Sequence, residues 1–147
     1  MEIDREAPAV ASSEIEVATG PDVVWDVMAD FERWPDWNPE VKSVSVSGPP
    51  AEGTTFKWKS SGATLSSTVE RAARPELLAW TGRASGMRAI HVWHFEARGD
   101  KSYVRTEESL DGWLVRLFRR RVQKVLQTGL DDSVRQLKAE AERRARE

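Results

Sequence analysis

Apolar residues recur at helical spacing over residues 113–146 for longer than anywhere else in the chain. Leu114, Leu117, Phe118, Val122, Val125, Leu126, Leu130, Val134 and Leu137 fall on one broad face, with Gly129 among them. Arg116, Arg119, Arg120, Lys124, Gln127 and Lys138 fall mainly off it. This spacing predicts one long amphipathic helix. A helix of about thirty residues, against a mean of roughly 11–12, needs an equally long surface to lie on.

The preceding sequence supplies strands. Residues 13–18 alternate, with Ile15 and Val17 on one side and Glu14 and Glu16 on the other, as a strand with one wet face does. Gly20-Pro21-Asp22 then opens a helix, with proline in the first turn and an acid near the positive dipole end. Val24, Val27, Met28 and Phe31 form its buried stripe. Pro35 and Pro39 interrupt the next stretch, so residues 31–39 are expected to be a short second helix or turn carrying Trp34 and Trp37.

From residue 40 to 110 the period approaches two and turn signals recur regularly, predicting six antiparallel strands at 41–47, 54–59, 63–71, 77–83, 87–97 and 101–110. Residues paired across a hairpin share a face, so each turn centre sets a register. Centring on Ser61-Gly62 pairs Trp58 with Leu65 and Phe56 with Ser67. Centring on Ser85-Gly86 sets Trp80 beside His91 and Leu78 beside Trp93. Centring on Gly99-Asp100 pairs Phe95 with Val104, Trp93 with Thr106 and His91 with Glu108. Trp80, His91 and Glu108 then share one inward row, while His94, Glu96, Tyr103, Arg105 and Glu107 face solvent. The fold class is α+β.

At 147 residues the chain is expected to be one domain, residues 13–147, preceded by a flexible tail at 1–12. Twenty-two basic and twenty-four acidic residues give a net charge of −2, which argues against a nucleic-acid partner. There is no cysteine, which removes disulfides and thiolate chemistry and fits a cytoplasmic location. The N-terminal residues lack an apolar signal region, and no apolar run approaches the roughly 18 residues that span a bilayer. Seven tryptophans either fill a core or line a pocket for a flat apolar ligand.

The order of elements, together with particular motifs, resembles the START-like, birch-pollen-allergen-like superfamily (SRPBCC), and within it the polyketide cyclase/dehydrase group. The motifs are Pro21-Asp22-Val23-Val24-Trp25, Asp30, Trp34-Pro35-Asp36-Trp37-Asn38-Pro39, Gly53-Thr54, Leu78-Ala79-Trp80, His91-Val92-Trp93-His94-Phe95-Glu96 and Glu107-Glu108-Ser109-Leu110-Asp111-Gly112. The resemblance implies a helix-grip fold, a seven-stranded curved antiparallel sheet wrapped around the C-terminal helix with a cavity between them. It also implies a hydrophobic or amphipathic small-molecule ligand, lipid-like or polyketide-like.

The register places Phe56, Trp58, Leu65, Ser67, Leu78, Trp80, His91, Trp93, Phe95, Thr106 and Glu108 around that space. Phe118, Val125 and Gly129 are expected to face it from the helix, the glycine making room. The bland alternative is that the aromatic bulk closes the cavity and leaves only core. His91 and Glu108 are candidate catalytic residues for a cofactor-independent cyclase, dehydratase or hydrolase, against a polar pair that merely satisfies itself. His91 and His94, three apart in a strand, point to opposite faces, so no metal site is expected. No nucleophile elbow or phosphate loop is present, and no cofactor is implied.

Arg116, Arg119, Arg120, Arg121 and Lys124 form a basic patch that is a solvated face, a contact for an anionic head group, or a peripheral contact with an anionic membrane surface without stable insertion. The protein is expected to bind its ligand as a monomer or homodimer. An interaction protein, in which the surface matters and the cavity does not, is the third reading.

Overall fold

The computed structural model describes residues 1–60 and 62–147; Ser61, one half of the Ser61-Gly62 turn centre, lies outside the described residues. Strand β1 (Ala9–Val17) leads into helix α1 (Pro21–Ala29), a 3₁₀ turn (Phe31–Arg33) and short helix α2 (Trp34–Trp37). Six strands come next: β2 (Val41–Val46), β3 (Thr55–Ser60), β4 (Ala63–Ala73), β5 (Leu77–Ala84), β6 (Met87–Arg98) and β7 (Lys101–Asp111). Helices α3 (Trp113–Leu117) and α4 (Arg119–Ala145) complete the chain. The strands form one antiparallel sheet in the order β1-β7-β6-β5-β4-β3-β2. This is the helix-grip architecture expected from the sequence.

Every register set by a turn centre holds. Trp58 lies opposite Leu65 and Phe56 opposite Ser67. Trp80 lies opposite His91 and Leu78 opposite Trp93. His91 lies opposite Glu108, Trp93 opposite Thr106 and Phe95 opposite Val104. The two-residue period leaves no intermediate choice: a slip by one residue would send every aromatic to the wet face.

The last helix differs from expectation. At Phe118 the backbone leaves helical geometry (φ −115°, ψ 39°), dividing the predicted helix into α3 and α4. The two halves answer to different partners. Val115 of α3 is fully buried, and the Leu114 N–H donates to the Gly86 carbonyl at 3.1 Å. Gly112 approaches the same loop so closely that an added Cβ would stand 2.2 Å from that oxygen. Helix α4 instead runs along β1, burying Leu126, Leu130, Val134, Leu137 and Ala141.

As an edge strand, β1 carries backbone groups with no neighbouring strand, and α4 side chains take them up. The Gln123 amide accepts from Val10 N–H at 3.0 Å and donates to Val10 C=O at 2.7 Å. Gln127 donates to Ser12 C=O, Lys138 donates to Glu16 C=O, and Glu142 accepts from Ala18 N–H. An edge that would otherwise template aggregation is thereby covered.

Three expectations are corrected here. Gly129 and Val125 lie on the exposed side of α4, Val125 at 63% exposure and Gly129 with nothing within 4 Å of an added Cβ, so Gly129 makes no cavity. Phe118, at the elbow, is 51% exposed. The buried stripe repeats through 126, 130, 134 and 137, and 125 and 129 fall too far around the helix to share it. The first residues are not a free tail. Strand β1 already begins at Ala9, Ile3 is buried against Ala79 and Val92, and Asp4 N–H donates to Ser109 Oγ at 3.0 Å. Third, Glu107 on the outer face is buried, held by Arg5 at 2.9 Å and by Arg105. Burial works to raise its pKa, but the hydrogen bond and charge of Arg5, with Arg105, outweigh this and hold it below the usual carboxylate range.

Two substitutions test this reading of α4. Gly129→Ala should stabilise the protein by about 0.5–1 kcal/mol, because alanine removes the helix penalty of glycine at an open position. Gln123→Ala should destabilise it by about 1–3 kcal/mol through loss of two hydrogen bonds to β1. Chemical denaturation measures both, and a destabilising Gly129→Ala would mean that the glycine faces packed atoms.

Candidate functional site

Most of the aromatic wall read as pocket lining is core. Phe31 and Trp34, carried by the helical insert, reach into the concave face. Phe31 stacks on Phe56 with centroids 4.3 Å apart, and Trp34 meets Phe56, Trp58 and Trp80 at 5.4–5.6 Å. Phe56, Leu78, Trp80, Trp93 and Phe95 are buried in one cluster with Val134 and Leu137. Trp34 N–H is satisfied by Met28 C=O and Trp58 N–H by Ser67 Oγ, whereas Trp93 N–H has no partner among the described residues. The two insert aromatics were legible as bulk but not as plugs, because the turn that aims them depends on how α1 seats on the sheet. Trp58 and Leu65, further along the face, remain half-buried.

Beside this plug lies the polar row. The His91 ring sits 4.8 Å from Trp80 and 5.3 Å from Trp93. Its Nε2 is 2.9 Å from Thr106 Oγ1, and the Thr106 hydroxyl donates to Val92 C=O at 3.0 Å. With the hydroxyl proton committed, Oγ1 is an acceptor, so neutral His91 carries its proton on Nε2 and leaves Nδ1 bare. Nδ1 faces Glu108 Oε2 at 3.6 Å, beyond hydrogen-bond reach.

Burial sets both protonation states. Desolvation lowers His91 to about 3 and raises Glu108 to about 8. At neutral pH the row therefore holds a neutral imidazole and a neutral carboxylic acid. The Glu108 carboxyl receives no hydrogen bond among the described residues, and its side chain keeps 17% exposure against 10% for His91. A protonated acid that is partly exposed and makes no hydrogen bond among the described residues has a donor free for an acceptor.

His94 stands opposite Arg105 on the other face of β6, so the two histidines share no site. Two depressions, of about 540 and 550 Å³, lie away from the row. The first runs across β2–β5, where outward Ser45, Thr55, Lys57, Ser66 and Thr81 dominate its lining. The second lies between α1 and the β2–β3 turn, against Trp25, Phe31 and Pro49. Neither is enclosed between the concave face and α4, so the expected cavity is not among them.

With the fold and the polar row in place, the chain can be set beside known proteins. Residues 8–142 match the family described as polyketide cyclase / dehydrase and lipid transport, and the chain belongs to that family. No curated protein matches it. Solved structures share the fold at low identity. Hypothetical protein jhp0584 from Helicobacter pylori is 20% identical with a TM-score of 0.83, over 95% of this chain and 91% of that one. The Zhui aromatase/cyclase from Streptomyces sp. R1128 is 18% identical with a TM-score of 0.79, over 92% and 94%. Ara h 8.0201 is 14% identical with a TM-score of 0.65, over 90% and 98%. Family membership supports a ligand-binding or cyclase role. Among the described residues no helix is long and apolar enough to cross a membrane.

The polar row predicts a pH signature. Folded Glu108 keeps its proton up to pH about 8, while the unfolded chain releases it near the ordinary value of 4.5; stability therefore falls as pH rises towards 8. Unfolded His91 takes a proton near 6.5 and the folded residue only near 3; stability therefore also falls as pH drops from 6.5 towards 3. Between 4.5 and 6.5 the slopes oppose and stability should be greatest. Thermal denaturation from pH 6.5 to 8 should show a decline in the native protein that Glu108→Gln abolishes. Equal slopes in the two proteins would refute the assignment to Glu108.

Proposed function

We propose that this protein binds an apolar or amphipathic small molecule, lipid-like or polyketide-like, on the concave face, with a carbonyl or hydroxyl oxygen accepting a hydrogen bond from Glu108. The observation that carries this reading is the Glu108 carboxyl itself: held neutral by burial, without a hydrogen bond among the described residues, and partly exposed. Half-buried Trp58 and Leu65 supply apolar wall on the same face. An apolar surface with one or two oriented polar groups is the usual make-up of a small-molecule site. The cysteine-free composition fits binding in a reducing compartment, the cytoplasm in this reading.

A second reading is favoured by the opposed pKa shifts of the pair. Titratable neighbours pushed apart divide naturally into an acid and a base. As a cofactor-independent cyclase or dehydratase, the protein would use Glu108 as the acid towards a ligand oxygen and the bare His91 Nδ1 as the base.

Titration with the neutral probe N-phenyl-1-naphthylamine should give saturable binding that quenches tryptophan emission. A long-chain ketone should displace the probe, and Glu108→Leu, which removes the donor where glutamine would keep an amide N–H, should weaken the ketone about tenfold, the order expected for one hydrogen bond to a buried donor, while leaving the hydrocarbon-like probe nearly unaffected. Absence of saturable binding by the folded protein would overturn the reading, and an unaltered ketone affinity would remove Glu108 from it.

A further inference from the structure

The elbow between α3 and α4 exposes large apolar side chains that the described residues leave uncovered. Trp113 is 65% exposed, Leu117 67%, Phe118 51% and Val125 63%. Trp113 and Leu117 stand one helical turn apart on α3, and Phe118 and Val125 are two turns apart where α4 begins. Single exposed apolar residues are ordinary, but four clustered on one short stretch mark an interaction surface.

Cations interleave with them. Arg116, Arg119, Arg120, Arg121 and Lys124 lie in the same stretch, and no acidic residue occurs between Gly112 and Leu130. The whole chain has a net charge of −2, so this end of the helix reverses the sign of the molecule. Arg116 is engaged with Asp111 and Arg119 with Pro8 C=O. Arg120, Arg121 and Lys124 make no ion pair among the described residues, and Arg120 and Arg121 are exposed.

We infer that the α3–α4 elbow docks the protein peripherally on an anionic lipid bilayer. Tryptophan, phenylalanine and leucine inserted at head-group depth, with arginine and lysine among the anionic head groups, are the composition of an interfacial segment. A bilayer accepts both groups at once, because its acyl boundary and its charge lie within one side-chain length of each other. A second copy of the chain does not fit as well. A two-fold contact through this face would set five cations against the same five. Docking requires no ligand on the concave face, and it adds a location to the proposed function without resting on it.

Co-sedimentation of the full-length protein with vesicles tests the inference. Binding to phosphatidylcholine vesicles containing phosphatidylglycerol should exceed binding to phosphatidylcholine alone by at least about tenfold, and high salt should abolish the difference. Leu117→Asp with Phe118→Asp, and separately Arg120→Glu with Arg121→Glu, should each reduce anionic-vesicle binding to the neutral-vesicle level. All four positions are exposed, so thermal denaturation should show both variants folded. Lys57→Glu with Arg83→Glu, on the outer face of the sheet, should leave vesicle binding unchanged. Equal binding to both vesicle types, insensitivity to the elbow substitutions, or a salt-stable dimer in solution that Leu117→Asp dissociates would overturn the inference.

Discussion

Strand β1 is an edge that must be closed, and the side-chain ladder from α4 closes it. Gln123, Gln127, Lys138 and Glu142 reach the backbone of Val10, Ser12, Glu16 and Ala18, while Leu126, Leu130, Val134 and Leu137 turn inward. One helix thus satisfies polar groups on its flank and buries apolar area on its stripe. The rest of the geometry depends on this closure. Strand β7 is held between β1 and β6, so the row containing Thr106 and Glu108 is fixed relative to the helix. The remaining strands carry the concave face away from α4, leaving the face to be filled by whatever the insert between β1 and β2 provides.

The insert provides Trp25, Phe31 and Trp34 to the core, with Trp37 packed against it. Phe31 and Trp34 fill the space against Phe56 and Trp80, and this apolar cluster sets the dielectric in which His91 sits. Its ring is flanked by Trp80 and Trp93, and its one firm hydrogen bond goes to a threonine already committed to a carbonyl. The same desolvation acts on Glu108 with opposite sign, since burial disfavours the charged form of either group. The polar row is therefore a consequence of the plug. Among the described residues the Glu108 carboxyl is left with no hydrogen bond, with His91 Nδ1 standing 3.6 Å away.

Family membership supports a ligand-binding or cyclase role, and the fold is shared with the Zhui aromatase/cyclase and with Ara h 8.0201. The chain departs from a simple open cup, however. Its volume is largely spent on aromatic packing, and its most exposed apolar groups lie outside the cup, on the elbow. The fold thus divides its aromatic residues between a filled interior and an exposed corner.

The residues alone determined whatever rests on short-range rules. A two-residue period and a turn centre are local, so the pairing of His91 with Glu108, and of Trp80 with His91, was legible in the chain itself. The seven strands, the short helices after the first and the long final helix were legible for the same reason. Long-range geometry decided the rest. Whether Val125 and Gly129 face inward depends on the roll of α4 about its axis, which the β1 contacts set and periodicity does not. Whether Phe118 continues a helix depends on α3 being held at Gly86 and α4 on β1 at the same time. Whether Phe56 and Trp80 line a space or fill it depends on where Phe31 and Trp34 arrive from a different part of the chain. Burial of Glu107 depends on Arg5, at the far end of the chain. Side-chain spacing specifies a face, but only the assembled neighbours decide what that face meets.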